Sequence, residues 1–305
     1  MSDHPIADSI ADPIADSTAD TTDDTTASRA ATALGDPGAY DHDGDIVGDL
    51  RVWRDVELTG LGRRADVLVH LPPGYDAGDR TYPVVYMHDG QNLFDPRTST
   101  GGVTWGVDRA MAQLARRGIE AIVVGIPCSP TARGDEYTPY PHPLRGGGRA
   151  DDYVRFLADH LKPAVDAALR TERGPADTVV AGSSLGGVIS VHAWLTRPDV
   201  FGAVGAFSPA FWWPGEPMLR DVEAALATPP PGRVHLDTGG REEPGDPDIE
   251  RAYVDDAERV LGLLRRAGVP VRFVYDSVAP HVESAWAQRL PEALAWLLEG
   301  YAVRS

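Results

Sequence analysis

One cysteine, one lysine and a shortage of positive charge mark this 305-residue chain. A lone thiol, Cys128, cannot close an intramolecular disulfide, so the fold has to rest on its core, and a reducing compartment is favoured. The thiol sits in Ile126-Pro-Cys-Ser-Pro130, just past an apolar run, where a small packed residue fits better than a nucleophile. Lys162 is the sole lysine; arginine supplies the remaining basic residues. Because 28 basic residues face 46 acidic ones, for a net charge of −18, nucleic-acid phosphate and anionic membrane are poor partners. The first residues lack both a basic n-region and an apolar h-region, so no secretory signal is read and the chain is expected to be cytoplasmic.

The negative charge is concentrated at one end. Residues 1–45 hold 11 Asp and one Arg, a net charge of −10. A degenerate repeat, Ile6-Ala-Asp-Ser, Ile10-Ala-Asp-Pro and Ile14-Ala-Asp-Ser, gives way to runs of Thr, Asp and Ala. A helix there would place Asp8, Asp12 and Asp16 as like charges at i,i+4, and Pro13 would interrupt it. Residues 1–45 therefore read as a disordered acidic tail and residues 46–305 as one domain. Asp41-His-Asp-Gly-Asp45 suggests a calcium loop, but that loop needs Gly sixth and Glu twelfth, whereas here Gly44 is fourth and Val52 twelfth. No metal site is assigned.

Beyond residue 46 the pattern turns regular. Residues 50–58 and 65–71 alternate apolar with polar around Thr59-Gly-Leu-Gly62, which predicts an antiparallel hairpin. Apolar strand-like runs follow at 83–87, 121–126, 178–181, 203–207, 233–237 and 271–275. Helical stripes fall between them, at 107–117, 151–169, 185–195, 217–227, 249–267 and 284–299. Strand and helix alternate through connections too long for hairpins. The fold class expected is therefore α/β, with a mainly parallel sheet wrapped on both faces and the hairpin at one edge. Ligands of such a sheet bind beyond the carboxyl ends of its strands.

The most informative stretch is Asp177-Thr-Val-Val-Ala-Gly-Ser-Ser-Leu-Gly-Gly187. It reads as strand, G-x-S-x-G and buried helix in that order, the context of a nucleophile elbow with Ser184 at its strained turn. Gly182 and Gly186 are expected where a Cβ would collide, and the Leu185 N–H faces the place where an oxyanion would form. The competing reading is a glycine-rich turn in which Ser184 only caps the helix. A serine hydroxyl needs a base, and the base a carboxylate, following it in chain order Ser, acid, His. His235 lies inside a strand and reads as packed, whereas His281 lies on the loop after the last strand and is the candidate base. The acid should leave the strand at 233–237; Glu242, first after Gly239-Gly240, is the choice and Asp246 the second. Against both stands the plain reading of a solvated acidic loop.

Taken together, several segments resemble the putative esterase family of α/β-hydrolases, which includes esterase D-like, feruloyl and siderophore esterases. They are Tyr86-Met-His-Asp-Gly-Gln-Asn-Leu-Phe94, Arg133 with Glu136-Tyr-Thr-Pro139, Gly182-Ser-Ser-Leu-Gly-Gly187, Ser208-Pro-Ala-Phe-Trp-Trp213, Gly239-Gly-Arg-Glu242 and His281 with Trp286. The resemblance implies an α/β-hydrolase fold and hydrolysis of a small-molecule ester through an acyl-enzyme on Ser184, without cofactor or metal. It places the family's oxyanion loop on His88-Asp-Gly-Gln91, with the Gln91 N–H as second donor, and its acid on Glu242. Trp105, Arg133, Tyr137, Trp212 and Trp213 are candidates for substrate contact, with packing beneath long loops as the alternative for the aromatics. Siderophore hydrolysis, acyl transfer to an alcohol and binding without turnover are the rival functions.

Overall fold

The computed structural model describes residues 34–142 and 144–300. Among the described residues, nine strands form one sheet in the order β1-β2-β3-β5-β4-β6-β7-β8-β9. The hairpin is β2 (Asp49–Leu58) with β3 (Arg63–Leu71), antiparallel to each other and joined antiparallel to β5 (Ile122–Ile126). From β5 onward every pairing is parallel, through β4 (Val84–His88), β6 (Thr178–Ser183), β7 (Ala203–Phe207), β8 (Arg233–Arg241) and β9 (Val271–Pro280). This is the mixed sheet that the sequence pattern predicts.

The boundary expected at residue 46 moves. Gly38–Ala39 forms a short edge strand, β1, antiparallel to β2, and Trp53 Nε1 donates to Gly35 O at 2.6 Å. Ordered chain therefore begins before the acidic stretch ends; residues 1–33, the rest of the expected tail, lie outside the described residues.

Strand side chains alternate between two cores, as the pleat requires. Along β4, Val84 and Tyr86 enter one cluster while Val85 and Met87 enter the other. The second cluster is closed by α1 (Val107–Ala115) and α8 (Glu283–Leu297). The first is closed by α3 (Ala150–Arg155), α4 (Lys162–Ala168), α5 (Leu185–Thr196), α6 (Glu216–Ala225) and α7 (Pro247–Arg266). A short helix, α2 (Arg133–Tyr137), lies in the long loop after β5. Helix α5 is buried from Leu185 to Trp194, so it runs through the core. Among the described residues no helix is long and apolar enough to cross a membrane.

Two departures from the sequence pattern have local causes. The helix expected over 151–169 forms, but Phe156–Leu161 is a π segment between α3 and α4. Pro163 has no N–H to give, which breaks the i→i−4 ladder there, and the wider turn absorbs the loss. Strands β8 and β9 also run several residues further than expected, pairing Gly239 with Asp276 and Arg241 with Pro280 across a bulge. Gly239 and Gly240 thus continue β8, Gly239 paired and Gly240 within the bulge. A Cβ on either glycine would run into the carbonyls of Ala279 and Ser277, so a side chain there would push the strands apart.

Candidate active site

Ser184 joins the end of β6 to the start of α5 with φ 58° and ψ −124°, a backbone that a non-glycine residue adopts only under constraint. The constraint is visible. Ser184 N–H donates to Phe207 O at 2.9 Å and Ala210 N–H donates to Ser184 O at 3.1 Å, tying the turn to the exit of β7. A Cβ on Gly182 would stand 2.9 Å from the Gly186 backbone, and one on Gly186 would stand 3.2 Å from Asp89 Oδ2. Leu185 opens α5, so its N–H has no carbonyl one turn earlier in the helix to bond.

The loop leaving β4 packs beside this turn. Asp89 takes φ 55°, and Gly90 starts a 3-10 turn, Gly90–Asn92, with its Cα pressed on the chain opposite. A Cβ there would lie 2.6 Å from Gly125 C and 2.7 Å from Ile126 N. The Gln91 side chain is held from both ends: its Nε2 donates to Cys128 Sγ at 3.3 Å and its Oε1 accepts from Cys128 N at 3.1 Å. Burial, with Asp89 nearby, pushes the Cys128 thiol up to about 12, so it stays protonated and packed, not nucleophilic.

Arg133 grips Asp89 with two bonds, 2.7 and 2.8 Å, and reaches Ser183 O at 3.4 Å. Burial alone would raise the Asp89 pKa, but the guanidinium overrides it and keeps the carboxyl below its ordinary value. Arg133 therefore braces the loop and has its charge already spent. Trp105 and Tyr137, expected at a pocket wall, are packed in the core instead. Trp105 sits edge-on to Phe207 at 5.0 Å, and Tyr137, with no exposure, lies against His88 and takes the Asp89 N–H at 3.3 Å. Trp212 and Trp213 remain half-buried.

Beyond β8 and β9 the candidate acid and base meet. His281 Nδ1 lies 2.6 Å from Glu242 Oε2. Glu242 is 1% exposed, yet the bonds and charge of His281 outweigh that burial and hold its carboxyl below the usual range. Its other oxygen accepts the Gly239 N–H. Asp246, the second choice, is occupied elsewhere: its side chain accepts Asp248 N and Ile249 N and so caps α7.

Tyr253, on α7, is a residue that sequence reasoning missed. Its ring lies 5.1 Å from His281, its hydroxyl borders the Ser184 side chain, and burial raises its phenol to about 12, so it is a neutral hydroxyl. Ser184 and His281 thus share one neighbour, although no hydrogen bond joins the two among the described residues. The imidazole, with its side chain 21% exposed, still opens to solvent, and in unliganded enzymes such bonds are often long until substrate arrives. A cleft of about 340 Å³ lined by Pro175, Gly202, Arg233 and Pro270 lies at the opposite, amino end of the strands and has no part in this site.

A protein-family model described as Putative esterase matches residues 59–297. Among curated proteins, YbbA of Bacillus subtilis (strain 168), itself uncharacterized, is 27% identical over 238 residues, covering 75% of this chain and 90% of its own. The siderophore enterobactin esterase of Emericella nidulans is 28% identical over 190 residues, covering 55% of this chain and 61% of its own. The solved BES protein from Bacillus cereus superposes with a TM-score of 0.67 at 21% identity, covering 85% of this chain and 98% of its own. At that identity the likeness speaks for the fold, and the two share it.

Proposed function

The chain belongs to the Putative esterase family, and from that premise we propose that it hydrolyses a carboxylic ester through an acyl-enzyme on Ser184. The observation that carries the reading is the 2.6 Å contact between His281 Nδ1 and a buried, ionised Glu242, on the two strand ends beside a strained serine turn. With Nδ1–H donated to the carboxylate, the imidazole keeps a lone pair on Nε2. That nitrogen takes the Ser184 proton as the hydroxyl attacks the ester carbonyl. The oxyanion is received by the Leu185 and Gln91 N–H groups. His281 returns the proton to the leaving alcohol, then deprotonates water to release the acid.

A narrower reading, an anionic siderophore-type ester, is favoured by one further feature. Arg145 stacks over Trp212 at 4.9 Å and Trp213 at 5.2 Å, and no carboxylate pairs with it among the described residues. The buried Trp213 indole N–H has no acceptor there either. A ligand rich in negatively charged oxygen would satisfy both groups.

The test is hydrolysis of p-nitrophenyl esters and of a ferric siderophore by the full chain beside Ser184→Ala, with a fluorophosphonate probe on both. Labelling at Ser184 and a loss on the order of 10⁴-fold or more in the variant are expected. Turnover that survives Ser184→Ala would sink the reading, and an added alcohol that diverts the acyl group would make the protein a transferase on the same residues.

A further inference from the structure

Ser208 opens the aromatic loop after β7, with φ 41° and no solvent exposure. Its hydroxyl has one proton and two lone pairs. Trp286 Nε1 donates to Ser208 Oγ at 3.1 Å, and Arg289 Nη2 donates to it at 3.1 Å, so both lone pairs are taken. The proton is left for an acceptor. Trp286 also meets His281 edge-on at 4.9 Å, which sets Ser208 beside the His281–Glu242 pair, and the Ser208 hydroxyl is among the groups that hold the Glu242 carboxyl below its ordinary range.

The serine is clamped from behind as well. Its N–H donates to Asp237 Oδ1 at 3.0 Å, while Arg289 Nε donates to Asp237 Oδ2 at 3.1 Å. His235 Nε2 lies 3.1 Å from the same oxygen. Ser208, Asp237 and His235 are 0% exposed and Arg289 is 9% exposed. Burying an Asp–Arg pair so deeply is a poor way to gain stability, because desolvation consumes the attraction. Such a pair is, however, well suited to holding one hydroxyl in one orientation.

We propose that Ser208 is a positioning residue for the acid of the triad: the Asp237–Arg289 pair fixes its hydroxyl, which donates to Glu242 and holds that carboxylate aimed at His281. This rests on Ser184, His281 and Glu242 forming the triad, and it adds three residues, from the loop after β7, from β8 and from α8, that act through Glu242 without touching substrate. The other titratable groups beside His281 are Tyr253 on α7 and Glu283 at the start of α8; both are unchanged in the variants below.

The experiment follows kcat/KM against pH for the full-length protein, Ser208→Ala and Arg289→Lys, on a p-nitrophenyl ester. Rates are expressed per site titrated with fluorophosphonate. Ser208→Ala removes one oxygen and adds no volume. Removing the donor makes the Glu242 carboxylate more basic, which strengthens its hold on the imidazolium proton. The acidic limb should therefore move up by about half a pH unit, and the plateau should fall about tenfold, the scale of one hydrogen bond to a charged group. An ammonium at position 289 cannot serve Asp237 and Ser208 together, so Arg289→Lys should move both readings the same way, and it keeps the test alive if Ser208→Ala does not fold. A merely structural role would reduce the number of titratable sites and leave the per-site rate and the limb in place; that result in both variants overturns the inference. A parent protein whose Ser184 is not labelled overturns the triad itself, and this inference with it.

Discussion

Replacing Glu242 by Gln should leave the fold intact and stop the chemistry, and the reason lies in which oxygen faces which donor. Glu242 Oε1 accepts the Gly239 N–H and lies 3.5 Å from Thr238 Oγ1. In Glu242→Gln the carbonyl oxygen must keep that position, because an amide nitrogen there would face a backbone donor. The NH₂ group then points along the 2.6 Å contact to His281 Nδ1. Two donors cannot share that contact, so the imidazole must carry its proton on Nε2, the nitrogen meant to receive the Ser184 proton. The charge that stabilises the imidazolium is lost as well. At about 4 Å and an effective dielectric near 20 that attraction is about 4 kcal/mol, roughly a thousandfold in rate. The corresponding substitution in the Ser-His-Asp template costs about 10⁴-fold in turnover. We expect kcat to fall by about 10³–10⁴-fold, KM to change little and Tm to shift by only a few degrees. Steady-state hydrolysis of p-nitrophenyl butyrate with differential scanning fluorimetry on the same preparations measures all three. A variant that keeps kcat within tenfold of the parent while folded would refute the role given to Glu242.

Two further outcomes follow from the loop after β4. Gly90→Ala places a methyl where Gly125 and Ile126 present backbone that cannot give way. It should cost about 1–3 kcal/mol by urea titration, and it should lower kcat more than KM because the Gln91 N–H is displaced with the loop. His88 is buried without a charge partner of its own on Nε2, and burial lowers its pKa to about 3. A folded pKa below the unfolded one means stability is complete above about pH 6.5 and shrinks as the pH falls towards 3, since the unfolded chain takes the proton first. At pH 5 the loss is about 2 kcal/mol for this residue, and a His88→Asn variant should show a flatter fall of Tm between pH 7.5 and 5. Equal slopes in parent and variant would remove His88 from the account.

The fold was legible where packing and periodicity agree. Strand Ala203–Phe207 reads from its unbroken apolar run, and α5 reads from having no polar face at all. The misses occur where a residue's local habit and its use in the fold diverge. Gly239-Gly240 and Asp276-Ser277 have the composition of turns, yet they continue β8 and β9, because the two strands approach so closely that only glycine fits. The π segment before Pro163 is of the same kind: the proline announces a fault in the helix, but whether the helix stops or widens depends on the core that Phe156, Leu157 and Leu161 must fill.

The site divides along the same line. Ser184 stands out in sequence because a strained turn forces glycine around it, so the requirement is written within five residues. His281 and Glu242 stand out by position, each after a strand that must end at the same edge of the sheet. For Trp105 and Tyr137 the packing alternative fits their burial, because an aromatic side chain suits a core and a pocket equally and only the tertiary contacts decide between them. Asp237 and Arg289 leave no local mark, and Ser208 shows only as the first residue of the aromatic segment it opens. Nothing about their backbone neighbours demands serine, aspartate or arginine; each is needed only because the other two are there, 29 to 81 residues away along the chain. Residues that perform a reaction impose themselves on their own segment, whereas residues that aim them are specified by one another. That is why the second group emerges only once β7, β8 and α8 are brought together, and why its members must be tested through Glu242 and not through substrate.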